Sequence, residues 1–537
     1  MPRTGANAAC VERAPAPAAF DFDFALNSTV SLQTQSAAGS ESRESSANAT
    51  ASRLSTALWI CLLTAFAAIL RLYELGTRSL WLDEAASSML ARSDWNTFLS
   101  ALVHRQSNMA LYYVLLRGWI HLGHNEFSLR LLSVIFGAAA IPILYRLVNA
   151  IRGSKAGTKT AWLASFVLSI HVFHLQYSQE ARGYSLAVLL TLASCYCFLR
   201  LLNASPKGLP LSYTLASILM VYSHVFGILI LAAQWACALL LPNPASVKKT
   251  IGIAAGVISL CISPLAFSLL FVSDRSQLSW INRTSLASLW EVFLALGGSS
   301  GAPLALLFAA LLLFSLRSHF REAQPPRENT AYIFLWVWLL LPILIAGIIS
   351  LRWPLLQARY LIVSLPPFLI LAADGLARIQ SRAIFIGAMI TAAGLSLAGV
   401  NSYYKARTDR DHTDNWRAAT TYCLSQAQPG DAVLFPYSAE EIPFREYQHW
   451  LGQETPNFTL IPQKTELELL STAGTWTSPA LASDAALHNR RVWVITALQP
   501  NQHSAEVEAA LRLHLNEESR RSFGFVTAHL FAQSQSH

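Results

Sequence analysis

The chain has 537 residues, 53% of them hydrophobic and 13% charged, against about 25% charged in an ordinary soluble protein. That composition excludes a cytosolic solute enzyme. The formal net charge of +8 does not mark a nucleic-acid binder once it is divided: residues 1–50 carry −2, residues 51–401 carry +14 and residues 402–537 carry −4. The basic excess lies at the ends of apolar segments, where Lys and Arg set orientation and meet lipid headgroups.

Residues 1–50 are rich in Ala, Ser and Thr without a hydrophobic period, which predicts a disordered cytoplasmic extension. Apolar blocks then follow one another, and their length predicts a mainly α, polytopic membrane protein. We place about eleven spans, at 55–72, 129–149, 160–176, 184–202, 210–223, 225–241, 250–272, 302–316, 331–350, 360–377 and 383–401. Residues 108–122 are nearly as apolar, but Arg117 and His121 interrupt them. They are read as a helix lying on the outer surface.

With the amino terminus in the cytoplasm, the inner loops hold thirteen cations. The outer loops hold Arg182, Arg275, Arg283, Arg352 and Arg359. This agrees with the positive-inside rule and sends the carboxyl terminus outward. The expected domains are thus 1–50, a transmembrane domain at 51–401 with an outer catalytic loop at about 73–128, and a small periplasmic α/β domain at 402–537. The last expectation rests on returning charge and Pro/Gly punctuation, with short β-like runs at 432–435 and 492–495 and helical stretches at 416–426 and 505–515. Five of the seven cysteines sit in apolar segments, so neither a disulfide framework nor a zinc ligand set is expected.

Four clusters gather on the expected outer side. Directly after the first span comes Trp81-Leu-Asp83-Glu84. Carboxylates beside hydrocarbon are costly, so Asp83 is a candidate general base and Glu84 a residue that orients the acceptor or assists a divalent metal. The pair equally suits a solvated helix amino terminus. Second is Gln179-Glu180-Ala-Arg182-Gly-Tyr184, in which Arg182 can bind a phosphate that Glu180 helps to place, or the two can satisfy each other at a helix end. Third is Tyr222-Ser-His224 at a turn, where a lone His is also an ordinary structural residue. Fourth is Arg359-Tyr360, which suits either ordinary lipid phosphates or the phosphate of a lipid-linked substrate.

These residues, in this order, resemble the bacterial membrane glycosyltransferases related to the protein O-mannosyltransferases and the lipid A aminoarabinose transferase. The likeness covers about residues 55–405 and includes Glu126-Phe-Ser-Leu-Arg130, Ser178-Gln-Glu-Ala-Arg182-Gly-Tyr184, Tyr222-Ser-His224 and Arg359-Tyr360-Leu. The tail Asp414-Asn-Trp416-Arg417 is similar to the outer domains of such proteins. The resemblance implies a C-type glycosyltransferase fold and transfer from a polyprenyl-phosphate-linked sugar donor at the periplasmic face of the inner membrane, to a glycan, lipid or protein acceptor. It also implies Asp83 as catalytic base, Glu84 in the acceptor site, and Arg182 and Arg359 on the donor phosphate, with Glu180, Tyr184, His224 and Tyr360 in support. Where the mannosyltransferases carry His-Pro-Pro, this chain has Ser107-Asn108-Met109-Ala110, which leaves the acceptor open.

No cofactor is required by this chemistry, because guanidinium groups can carry the charge; a divalent metal remains compatible with it. The competing readings are a lipid-linked sugar flippase or transporter, which calls for ionisable residues in the middle of spans, a polysaccharide polymerase or ligase, and a sensor whose outer domain binds ligand.

Overall fold

The computed structural model describes residues 54–151, 155–203, 208–272, 284–299, 301–322, 325–408, 414–452, 458–472, 474–497 and 502–533. The expected extension at 1–50 and the outer-loop residues Arg275 and Arg283 lie outside them. The chain divides into two units, Met1–Cys61 and Leu62–His537. Of the first, the described part is the opening of the first helix; all contacts below are within the second.

Eight helices are long and apolar enough to cross a membrane: Leu54–Leu72, Glu126–Ile151, Tyr184–Leu202, Ala245–Val272, Ala302–Arg321, Pro326–Ser350, Ala358–Ala377 and Arg382–Arg407. The other three expected spans are present as shorter pieces. Leu209–Ser223 and Gly227–Leu240 are roughly 21–23 Å long, short of the about 30 Å of a hydrocarbon core. The span expected at 160–176 is broken: Lys155–Ile170 ends, His171 adopts an extended backbone, and Val172–Ser178 begins afresh. The His171 Nε2 meets the Leu296 carbonyl at 3.1 Å, so the break is held from a neighbouring element. Leu296 ends a helix, Leu286–Leu296, that hydropathy did not single out.

Burial sorts these helices into an inner and an outer layer. Ala358–Ala377 is 89% buried along its apolar window, whereas Ala245–Val272 and Arg382–Arg407 are 17% buried. Leu260, Leu344 and Ile390 point outward, as apolar side chains do where lipid replaces water. The segment read as a surface helix forms Ala110–Trp119, ten residues that cannot span. It stands with Leu82–Arg92 and Trp95–His104 in a cap of short helices.

Beyond residue 413 a five-stranded sheet appears, in the order β2-β1-β3-β5-β4, with β1 Ala432–Leu434, β2 Thr459–Ile461, β3 Arg491–Thr496, β4 Asn516–Phe523 and β5 Val526–Ala532. β1 runs parallel to β2 and β3, and β5 is antiparallel to β3 and β4. The expected helices occur at Trp416–Gln426 and Gln502–Arg512.

This sheet domain packs onto the cap through Glu441–Leu451. The Tyr447 hydroxyl accepts from the Leu80 N–H at 2.6 Å and donates to Glu126 Oε1 at 2.8 Å. The fully buried Glu446 accepts from Ser88 at 2.5 Å and pairs with Arg92 at 2.9 Å.

Candidate active site

Helix Leu82–Arg92 begins with two acidic residues, and neighbours on a helix point about 100° apart. The structure gives them different surroundings. Glu84 turns inward, where it is 1% exposed. Its two oxygens take the Arg130 Nε and Nη2 at 2.8 and 2.6 Å, and Oε1 also accepts the Ala181 N–H at 2.9 Å. Arg130 spends its remaining donors on the carbonyls of Leu75, Arg78 and Ser79. Burial alone would raise the Glu84 pKa, but Arg130 and the Ala181 N–H hold the carboxyl below its ordinary range. Glu84 is therefore engaged on every side and is not turned towards an acceptor.

Asp83 keeps the open position. Its Oδ2 lies 3.8 Å from an Nη of Arg182 and 3.8 Å from an Nη of Arg359. A closed charge-assisted hydrogen bond measures about 2.7–2.9 Å, so these contacts attract without locking. The Asp83 side chain retains 31% exposure, against 9% for Arg182 and 17% for Arg359. Residues separated by 276 positions thus meet around one carboxylate.

Arg182 sits in the loop between Val172–Ser178 and Tyr184–Asn203. Gly183 permits this loop to approach closely, since a Cβ there would meet the Ser223 carbonyl at 3.0 Å and the Tyr112 Cβ at 3.2 Å. Arg182 also donates to the Tyr113 hydroxyl at 2.7 Å. Burial would lower the guanidinium pKa, but Tyr113 and Asp83 drive it upward, so it stays charged.

Aromatic rings form the wall. Tyr177 packs on Tyr184 at 4.7 Å, Tyr184 on His224 at 5.8 Å, and His224 on Tyr360 at 5.8 Å, while Arg359 lies over Trp81 at 6.0 Å. His224 Nδ1 accepts the Phe226 N–H at 3.2 Å, which leaves the proton on Nε2. Burial, then Arg182 and Arg359, press its pKa down to about 3, so the ring is neutral. For Glu180, burial and the nearby Glu84 raise the carboxyl to about 7 against the pull of Arg359 and Arg182.

Several buried polar atoms here have no hydrogen-bond partner among the described residues: Glu180 Oε2, Arg182 Nε, the Tyr184 hydroxyl and His224 Nε2. Such groups are expensive to leave unmade. Gathered around two guanidiniums, they describe a site shaped for an oxygen-rich anion. Among the described residues no group of three or more His, Cys, Asp and Glu side chains could hold a metal ion.

The sequence reading singled out neither Tyr113 nor Arg130 as site residues. Tyr113 lies inside an apolar run whose visible irregularities are Arg117 and His121, and Arg130 enters the sequence analysis as part of the resemblance at 126–130, with no role assigned to it. The departure at 107–110 borders the site directly, since the Asn108 carbonyl accepts the Val225 N–H at 3.1 Å, one residue from His224.

Residues 107–267 match the family described as dolichyl-phosphate-mannose-protein mannosyltransferase. Among solved structures, the chain is similar to ArnT from Cupriavidus metallidurans bound to undecaprenyl phosphate, at 12% identity and a TM-score of 0.58, over 89% of this chain and 98% of that one. The apo form of ArnT matches over the same shares at a TM-score of 0.59 and 12% identity. The chain has the fold of a C-type membrane glycosyltransferase. This agrees with the expected mainly helical fold with a small carboxyl-terminal α/β domain; the match at 107–267 agrees with the resemblance to the protein O-mannosyltransferases, and the likeness to ArnT is one of fold. A further likeness, to the oligosaccharyltransferase AglB from Archaeoglobus fulgidus, has a TM-score of 0.48 at 12% identity, over 89% of this chain and 74% of that one. No curated protein gives a significant match.

Proposed function

We propose that this membrane glycosyltransferase moves a sugar from a polyprenyl-phosphate donor to an acceptor hydroxyl or amine, with Asp83 as general base and Arg182 and Arg359 on the donor phosphate. The observation that carries the reading is the shared 3.8 Å approach of both guanidiniums to the Asp83 carboxylate. ArnT, of like fold, has been solved with undecaprenyl phosphate bound, which supports this class of donor.

In the reaction, the acceptor oxygen or nitrogen forms a bond to the anomeric carbon as the bond from that carbon to the phosphate oxygen breaks. The phosphate departs with the electron pair, and Arg182 and Arg359 stabilise its charge. The acceptor proton passes to Asp83 Oδ2. Tyr184 and His224 Nε2–H have donors to offer the phosphate or sugar, and Tyr360 supports them as part of the aromatic wall. Glu84 acts here as a positioning residue, not a catalytic one. Attack on the face opposite the phosphate inverts the anomeric centre.

The test is transfer from a polyprenyl-phosphate sugar by full-length protein in nanodiscs. Asp83→Asn should lower turnover by about 10²–10⁴, the usual yield of a general base, with donor binding retained. Arg359→Glu should chiefly weaken donor binding. Undiminished turnover in the first variant removes Asp83 from the base role, and a product of retained configuration requires a covalent intermediate instead.

The site lies on the outer side of the inner membrane in this reading, with the amino terminus cytoplasmic and residues 402–537 periplasmic. The support is the distribution of loop cations. A reporter fused after residue 537 should be active only outside the cytoplasm, and cytoplasmic activity would reverse the orientation.

A further inference from the structure

A second cavity lies at the far end of the helix that carries Asp83. It encloses about 270 Å³ between the cap of short helices and the docked helix Glu441–Leu451 and is lined by Arg92, Arg117, His121, His124, His449 and Trp450. No carboxylate contributes to the lining.

The charges of its two arginines are used differently. Arg92 is paired with Glu446 at 2.9 Å and Glu466 at 2.8 Å. Arg117 meets two backbone carbonyls, Ala91 at 3.2 Å and Ser93 at 2.6 Å, and lies over the rings of Trp95 and Phe98. Among the described residues it pairs with no carboxylate, so its positive charge is left to the cavity. The buried indole N–H of Trp450 has no acceptor among the described residues. A cavity lined by an indole, imidazoles and guanidiniums has the chemistry to recognise a sugar: a flat ring to lie against, and donors to meet its oxygens.

Helix Leu82–Arg92 fixes the distance to the reaction centre. Nine residues separate Asp83 from Arg92, a rise of roughly 14 Å. That is farther than one sugar ring reaches, but within the length of a short oligosaccharide.

We propose that this cavity is an acceptor subsite for an anionic sugar residue, one bearing a carboxylate or phosphate, and that the acceptor is an extended acidic glycan whose reacting end lies at Asp83. The proposal rests on the transferase reading above and names its acceptor class. Arg117 supplies the charge, Trp450 the ring and the N–H, and the three histidines further polar contacts to the sugar.

The experiment is calorimetric titration of the full-length protein in nanodiscs with trigalacturonate and its neutral methyl ester, with inorganic phosphate as competitor. Trigalacturonate should bind and the methyl ester should bind about tenfold or more weakly, the share of one charge-assisted contact. Arg117→Gln should remove that preference. Because Arg117 also braces two carbonyls, the surface variant His121→Ala/His449→Ala is measured beside it and should weaken trigalacturonate several-fold with the fold intact.

Arg182→Gln/Arg359→Gln should leave trigalacturonate binding unchanged. If that variant abolishes it, the anion is held at the reaction centre and the subsite is refuted. Equal binding of acid and ester, or no binding of either, also refutes it. Displacement by phosphate assigns the anionic group to a phosphate-type site, and retention against phosphate assigns it to a carboxylate. Binding is read without turnover, so failure of the wild-type protein to transfer from any polyprenyl-phosphate sugar, with trigalacturonate binding intact, would sink the transferase reading alone.

Discussion

Glu180 is a buried carboxyl whose charge state bears on the site around Arg182 and Arg359. Its carboxyl is raised to about 7 by burial and Glu84, so below that pH it is neutral and adds no negative charge beside Arg182 and Arg359. Above it, an anion appears beside the two guanidiniums proposed to hold the donor phosphate, and transfer should fall. Glu180→Gln should flatten this alkaline decline in the rate of donor-saturated and donor-limited turnover alike; an unchanged profile would assign the decline to another group. The linked effect on stability has a definite sign. A carboxyl whose folded pKa is raised binds more protons folded than unfolded, so its contribution weakens as pH rises from about 4.5 to about 7. From the sequence, Glu180 and Arg182 were legible as a pair at a membrane boundary. Their failure to satisfy one another was not, because it depends on where Asp83, Glu84 and Arg359 come to rest.

At the scale of elements, the strut formed by Glu84 sets the geometry of the site. Glu84 adjoins Asp83 and its Oε1 holds the N–H of Ala181, which adjoins Arg182. Arg130, from helix Glu126–Ile151, closes the other side. One buried carboxylate thereby keeps Asp83, the proposed base, and Arg182, the proposed phosphate contact, in register. Breaking a buried pair from one side costs about 3–5 kcal/mol, because a charge is left unpaired. Glu84→Ala should accordingly lower thermal stability and reduce turnover together, and a variant of wild-type stability would show the strut to be dispensable. Adjacent acidic residues read alike in a sequence, and only the packing on either side of Leu82–Arg92 separates their tasks. Helix existence was legible for the eight long segments because hydropathy reports burial in lipid directly. The break at His171 was not legible, since the hydrogen bond that holds it comes from Leu296, 125 residues away.

The whole molecule joins a two-layered helical body to a sheet domain through a polar seam. Pairs such as Ser88 with Glu446 and Tyr447 with Glu126 link residues more than 300 positions apart, and nothing in the local pattern of either partner announces them. β1 and β3 were legible as compact apolar runs. β4 was missed because Asn516–Phe523 is mostly exposed and charged, as an edge strand is.

One more result follows from the loose 3.8 Å contacts of Asp83 with both arginines. As the chain stands, this carboxylate is the shared counter-ion of both guanidiniums and faces them rather than an acceptor. In the proposed reaction a seated donor phosphate would take over the two cations and release Asp83 to the acceptor. The two substrates should therefore enter in a compulsory sequence, carrier first, giving intersecting initial-rate plots and product inhibition by the spent carrier competitive with its loaded form alone. Random entry would mean that Asp83 is available without the carrier, and parallel lines would mean a covalent glycosyl-enzyme in place of direct transfer.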